Sequence, residues 1–466
     1  MKLKHILPVL TIAAGAWSCS QEFTDLNPVT QRNVNGFYLT AGDMTTAINA
    51  AYKALQLNGA YNQSYWIMQE MRSDNTDQGP DGTGLGAELT VIDNFSEIAT
   101  SEIVTAAYTD SYLGIARCNI VLDRIGGIAM DANLKERIRG EALFLRSLFY
   151  YNLAVSFGRI PLSLTEPKSV AEGLAMPQVA APRVYQQLIT DLQSAEAALP
   201  VKYAAADIGR ATKGAAAALL GKVMLTAGDK AGAATVLKRI VDTYGYKLLP
   251  DYAGLWGLAN KNNAESIFEV QFKGGGTGTG NAFTNAFSPL LRQTTGAYKN
   301  RPTVGMMNAF EAGDDRFLKS MDTSYVNSSG VLISHSRNDT RFITKFGKEN
   351  AFNENDASYN FMVLRYADVL LMLAEALGES PEAYGYINQV RARAKLSPVS
   401  AASPGTFEDK LLRERRVELA FENHRWADLL RFGKARELMQ GQGKNARLLF
   451  LIPQRELDIN SSYTQN

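Results

Sequence analysis

Residues 414–434 read ERRVELAFENHRWADLLRFGK. Val417, Ala420 and Phe421 fall on one apolar face, and Trp426, Leu429 and Leu430 fall on another. Asn423 stands between them. Asparagine tolerates the left-handed conformation that commonly ends a helix, which predicts two short helices meeting at a corner. Arg413, Arg415 and Arg416 are then available to pair with Glu414, Glu418 and Glu422. Chemistry would need another pattern. His424 is followed by Arg425, so H-E-x-x-H is absent, and the other histidines are His5 and His335. The stretch reads as scaffold.

The same reasoning covers RYADVLLMLAEAL, residues 365–377, where nearly every side chain is apolar and a helix buried on most sides is expected. Asp368 and Glu375 must then be paired, because an unpaired buried charge is prohibitive. Arg365, Arg391, Arg393 and Arg416 are the candidate partners. A hydrolytic carboxylate dyad there would be closed to substrate.

Composition narrows the function classes. The 466 residues include 48 basic and 47 acidic side chains, a formal charge of +1. That balance offers no electrostatic footprint for nucleic acid or an anionic membrane surface. The start, MKLKHILPVLTIAAGAWSC, has two lysines, an apolar run too short to span a bilayer, and small residues before a cysteine. Residues 1–18 are expected to be a lipoprotein signal peptide. Cys19 is the expected lipid-attachment site, and residues 19–35 form the anchor and polar tether. Cys118 is left without a disulfide partner and reads as a small buried hydrophobe.

Helical periodicity runs through GDMTTAINAAYKALQL, with Asp43 placed as an N-cap, and through 102–125, 133–157 and 182–199. Two segments read as helical hairpins. RATKGAAAALLGKVMLTAGDKAGAATVLKRIVDTYG turns at Gly228–Asp229 and partly fits the tetratricopeptide pattern of small residues. VLRYADVLLMLAEALGESPEAYGYINQVRARAK turns at Ser380, an expected N-cap, followed by Pro381 in the first helical position. The scaffold is expected over 36–60, 102–160, 182–256 and 358–440 of one domain, 36–466. Insertions at 61–101 and 262–346 interrupt it, the first polar and glycine-rich, the second with strand-like runs ESIFEVQF and TRFITKF. The expected fold is mostly α, a tetratricopeptide-like helical-hairpin scaffold with an insertion-rich, loop-heavy half containing a few short β-strands. Long loops in a compact fold usually carry function.

Three loops are candidates for holding a ligand. GGGTGTGN follows a strand-like run but fits neither phosphate-cradling glycine motif, so it reads as a flexible loop. DQGPDGTGLGAE places Asp77, Asp81, Gly82 and Glu88 at calcium-loop positions, but without evident flanking helices, and no metal or cofactor is expected. YNQSYWIMQEMRSDNTDQ, residues 61–78, is the best candidate. Tyr61, Tyr65 and Trp66 offer aromatic faces beside Arg72, Asp74 and Asn75, which suits a neutral polyhydroxyl ligand such as a sugar. Asn94 and Phe95 complete the candidate ligand-binding set. The competing reading makes Tyr61, Tyr65, Met68 and Arg72 a helix stripe with Trp66 in the core.

Seven stretches in order, FLRSLFYYNLAVSFGRIPL (144–162), YGYKLLPDYAGLW (244–256), ESIFEVQF (265–272), MMNAFEAGDDRF (306–317), LRYADVLLMLAEAL (364–377), ERRVELAFENHRWADLLRFG (414–433) and FLIPQRELDIN (450–460), resemble the SusD/RagB family of outer-membrane nutrient-binding lipoproteins. Asn423 departs from the family's usual glycine, and both residues suit a helix end. The resemblance implies helical hairpins supporting a ligand-binding, insertion-rich half. It also implies a lipid-anchored protein exposed at the outer membrane and a SusC-like TonB-dependent transporter as partner. The expected function is non-catalytic capture of an oligosaccharide and its delivery to that transporter. The alternatives are a peptide-binding member of the family and a helical-repeat adaptor that recognises only protein.

Overall fold

The computed structural model describes residues 38–78, 84–289, 296–327, 329–334, 341–347, 349 and 353–466. The targeting segment, Cys19 and the tether lie outside the described residues, as do Asp81 and Gly82. Helix α1 (Ala41–Ala54) starts one turn before the expected cap. Thr40 is the N-cap, and Asp43 is its reciprocal partner in a capping box, accepting from the Thr40 N–H at 3.0 Å. Short α2 (Ser64–Glu70) and α3 (Leu85–Asp93) follow. The second lies inside the polar, glycine-rich insertion at 61–101, where no helix is evident from the sequence, and its Leu89 and Ile92 reach the core.

Long helices α4 (Glu102–Arg124) and α5 (Ala132–Phe157) begin at Ser101 and Asp131, whose side chains accept from backbone N–H groups of the first turn. Then come α6 (Ala181–Ala198), the hairpin α7 (Lys213–Thr226) and α8 (Lys230–Thr243), and the hairpin α9 (Tyr366–Leu377) and α10 (Pro381–Arg393). Each of α4 to α10 packs on the next. The array is therefore continuous in space although more than a hundred residues separate α8 from α9 in the chain. Close approach needs small residues. A Cβ on Gly221 would lie 2.5 Å from Leu237 Cδ2, so glycine is what lets α7 and α8 touch. Both predicted hairpin turns are present, with Gly228 at φ 86° and Ser380 capping α10.

Strands are short. β1 (Thr76–Asp77) pairs antiparallel with β3 (Arg301–Pro302), and β2 (Ser266–Val270) with β4 (Phe361–Arg365), the latter through bulges. β4 corrects the expectation of helix from the start of that hairpin. Its apolar run FMVL suits either element, and the pairing with β2 decides for strand. One large hydrophobic cluster runs from Met44 and Ile48 through Leu145 and Leu220 to Leu370 and Phe450. A smaller one surrounds Trp426 with Phe95, Leu412, Leu429 and Met439.

The opening stretch forms α11 (Phe407–Glu418) and α12 (Arg425–Arg431). The corner begins earlier than Asn423. Residues 419–424 are non-helical, and both Phe421 and Asn423 take φ 64°. Around this corner lies a buried ion-pair network. Arg365 donates to Glu422 (2.7 Å), to Glu265 (3.0 Å) and to Glu418, and Arg393 and Arg316 also reach Glu418. Burial pushes the Glu418 carboxyl up, but the three arginines outweigh it and hold it well below the usual range. Asp368 pairs with Lys222 and Arg415, each at 2.9 Å, and Glu375 with Arg431 at 2.7 Å. The carboxylates are paired, but none of the four arginines expected for them is the partner. The partners come from α7, α11 and α12, which only the packed array brings alongside α9.

Candidate functional site

The segment read as the ligand loop underlies the candidate site. Trp66 on α2 is 2% exposed and meets the Phe287 ring edge to face at 5.0 Å. The Tyr61 hydroxyl accepts from Asn152 at 3.1 Å, and its ring touches Tyr65 and Phe361. The Arg72 guanidinium is fully buried 3.3 Å over the Phe450 ring and pairs with Glu97. Burial lowers its pKa to about 9, against the opposing pull of Glu97. Asp74 is held by Arg425 and Arg416, and Asn75 accepts from Arg416 at 2.9 Å. Phe95, at φ 56°, packs on Trp426.

These positions correct the ligand-facing expectation for Tyr61, Trp66, Arg72, Asp74, Asn75 and Phe95. Their side chains are buried, and the polar ones hold the neighbouring protein groups just named. Tyr65 is half-buried, and only Asn94, at the end of α3, is exposed. Trp66 sits in the core as the competing reading had it, but Tyr61 and Arg72 lie outside α2, so the four residues do not form one helix stripe.

What the segment presents is another matter. The Asp74 and Asn75 carbonyls accept from the Thr303 hydroxyl (2.9 Å) and N–H (2.8 Å), which seats β1 against β3 in the register Asp77 opposite Arg301. The two insertions therefore meet at one strand pair. Asp77 accepts from Arg301 at 3.0 Å and from Arg341 at 3.4 Å, and the Arg301 guanidinium lies 5.3 Å from the centroid of the Tyr298 ring. Tyr298 and Asn300 both take φ 54°, a conformation that bulky side chains adopt at a cost and that gathers at functional segments. Tyr298, Asp77 and Arg301 are partly exposed. A half-exposed ring, a carboxylate and a guanidinium held in fixed relation can cover a sugar face and bond its hydroxyls. Sequence reasoning missed Tyr298, Arg301 and Arg341 because nothing in their neighbours in the chain distinguishes them. Only the 262–346 boundary pointed there.

The other loops resolve simply. In GGGTGTGN the N–H groups of Gly275 and Gly276 both donate to the Asp356 carboxylate at 2.8 Å, so the chain fills its own glycine cradle and the loop is pinned. Asp77 of the calcium-like loop is engaged by arginines, and no cluster of metal-ligating side chains occurs among the described residues. His424 Nδ1 lies 3.0 Å from Lys222 Nζ inside the scaffold, and burial, then the Lys222 charge, lowers its pKa to about 3. No helix among the described residues is long and apolar enough to cross a membrane.

Comparison with known proteins agrees with this architecture. Residues 320–449 match the model of the SusD family, and residues 25–225 match a family described as starch-binding, associating with the outer membrane. The chain is 28% identical to SusD-like protein P2 of Formosa agariphila, over 99% of this chain and 95% of that one. It is 25% identical to a SusD-like protein of Bacteroides ovatus, over 92% of this chain and 82% of the relative. A solved laminarin-binding SusD-like protein superposes with TM-score 0.82 at 29% identity, over 92% of this chain and 99% of that structure. With hairpin array, inserted half and signature corner all in place, the chain belongs to the SusD/RagB family.

Proposed function

We propose that this chain is a non-catalytic glycan-binding protein of the outer membrane, anchored through a lipid on Cys19 and exposed at the cell surface. It captures an oligosaccharide and passes it to a SusC-like TonB-dependent transporter. One observation carries the reading: the strand pair β1–β3 joins the two insertions and sets Tyr298 beside the Asp77–Arg301 pair at the surface. The laminarin-binding name of a structure 29% identical, and the starch-binding description of the matched family, support a glucan as the ligand class. Pairing of the buried carboxylates in the scaffold leaves those groups to structure and supports the non-catalytic reading.

The test is calorimetry of the purified chain against starch-derived and laminarin-derived oligosaccharides and against peptides. Glycan binding is expected, with little change on raising salt, because a stacked ring and neutral hydroxyls are only weakly screened. Tyr298→Ala should weaken it about tenfold or more, the scale of one stacking contact, and Asn94→Ala should weaken it less. Binding of peptides alone would favour the peptide-binding alternative. Binding of the transporter with no small ligand would favour the adaptor. Glycan turnover by the wild-type chain would overturn the non-catalytic reading.

A further inference from the structure

A cleft of about 750 Å³ opens on the helical scaffold, where the last turns of α5, the start of α6 and the end of α7 meet α12 and residues 445–449. Its volume falls in the range of small-molecule sites, roughly 300–1,000 Å³. None of Asp77, Tyr298 and Arg301 lines it. Its walls are aliphatic: Val155, Leu430, Leu448 and Leu449. Gly158, at φ 69°, closes α5 where a Cβ would lie 2.7 Å from Leu449 Cδ1, so the glycine keeps that leucine seated at the cleft wall.

The polar groups at the cleft divide into two sets. Arg431 gives its Nε and Nη2 to Glu375, and Arg447 gives its Nη2 to the carbonyls of Phe95 (3.1 Å) and Glu97 (2.7 Å). Tyr151 and Thr226 hydroxyls meet at 3.3 Å. Arg436, exposed at the rim, makes no ion pair or hydrogen bond with a described residue, and neither does the Tyr185 hydroxyl, whose ring is buried. Asn466 gives its amide to the Phe157 and Phe450 carbonyls, each at 2.7 Å, whereas the exposed Asn445 amide makes no hydrogen bond with a described residue. An aliphatic trough with one uncommitted guanidinium beside an uncommitted hydroxyl and amide has the charge and surface of a site for an amphiphile with an anionic head.

We infer that this cleft binds a single-chain amphipathic carboxylate, its alkyl tail against Val155, Leu430, Leu448 and Leu449 and its head on Arg436. Binding is tested by titrating the purified chain with dodecanoate, decanoate and a neutral dodecyl polyoxyethylene ether, all below their micellar range. Saturable binding of one dodecanoate is expected. Decanoate should bind about tenfold more weakly, from the loss of two buried methylenes, and the ether about tenfold more weakly, from the loss of the charge-assisted contact. Arg436→Gln should reduce dodecanoate affinity about tenfold with the melting temperature unchanged. Leu449→Trp should fill the trough and abolish binding, and Tyr298→Ala should leave it intact. Absence of saturable binding, or equal affinity for the neutral ether, overturns the inference. Because Arg436 is exposed, its variant keeps the test decisive even if Leu449→Trp does not fold.

Discussion

Asp74 accepts two hydrogen bonds from one edge of the Arg425 guanidinium, 2.6 Å from Nε and 2.9 Å from Nη2, across 351 residues of chain. Arg416 adds a third contact at 3.1 Å. Burial raises the Asp74 carboxyl, but the two arginines outweigh it and its pKa is lowered. Removing the acid would leave the buried Arg425 and the partly buried Arg416 without their counter-charge, and breaking a buried pair costs about 3–5 kcal/mol. Asp74→Ala is therefore expected to lower the unfolding free energy by that order, read as a lower denaturant midpoint at unchanged slope. A midpoint equal to wild type would show that the insertion and the α11–α12 corner are not clamped together.

Trp66→Ala is expected to act on stability and only weakly on ligand affinity. The ring is 2% exposed and edge to face with Phe287, and truncating a core aromatic costs about 3–5 kcal/mol. Thermal unfolding and glycan titration of the same sample separate the two effects. An unchanged melting temperature with lost affinity would return Trp66 to the ligand surface.

Glu70 carries a pH-dependent penalty. Burial first, then the neighbouring Glu422 and Asp74 charges, raise its carboxyl to about 7, although the Asn423 N–H at 2.7 Å and Lys345 favour the ionised form. Because the folded value exceeds the usual 4.5, the folded chain binds this proton more tightly. The contribution is full below pH 4.5 and is lost as pH rises towards 7. The stability of wild type minus that of Glu70→Gln should fall across that window. A flat difference curve would contradict the assignment.

His424 runs in the opposite sense. Its pKa is lowered from 6.5 to about 3, so the unfolded chain takes up a proton that the folded one refuses. This contribution is present above pH 6.5 and is lost as pH falls towards 3. His424→Gln should flatten the acid limb of the stability profile. Nuclear magnetic resonance titration should find the wild-type imidazole neutral at pH 5.

Two glycines in one hairpin should respond differently. Gly221→Val would force a side chain into Leu237 and cost about 1–3 kcal/mol or more by overpacking. Gly228→Ala meets open space, and its cost is conformational only, about 1–2 kcal/mol for a left-handed residue. Melting temperatures in that order support the close α7–α8 contact, and the reverse order would refute it.

The helices α4 to α8 and the Ser380–Pro381 start of α10 were legible because their signals are local. A 3.6-residue apolar repeat and a capping side chain act within a turn or two of the residues that encode them. That the charges of 414–434 hold the scaffold was legible too, since a largely apolar neighbourhood demands paired ions. The strand β4 and helix α3 were not, because a short apolar run or a glycine-rich one satisfies several local conformations and a distant partner selects among them.

Sequence alone determined the scaffold class, the corner near Asn423 and the need to neutralise Asp368 and Glu375. Which cations neutralise them, and which aromatics face outward, was decided by packing. Trp66 and Tyr298 are alike in chemistry, so no pattern along the chain can say that one is sealed under Phe287 and the other is left beside Arg301. Burial is a property of what folds over a residue, and here the ring that covers Trp66 comes from more than two hundred positions away.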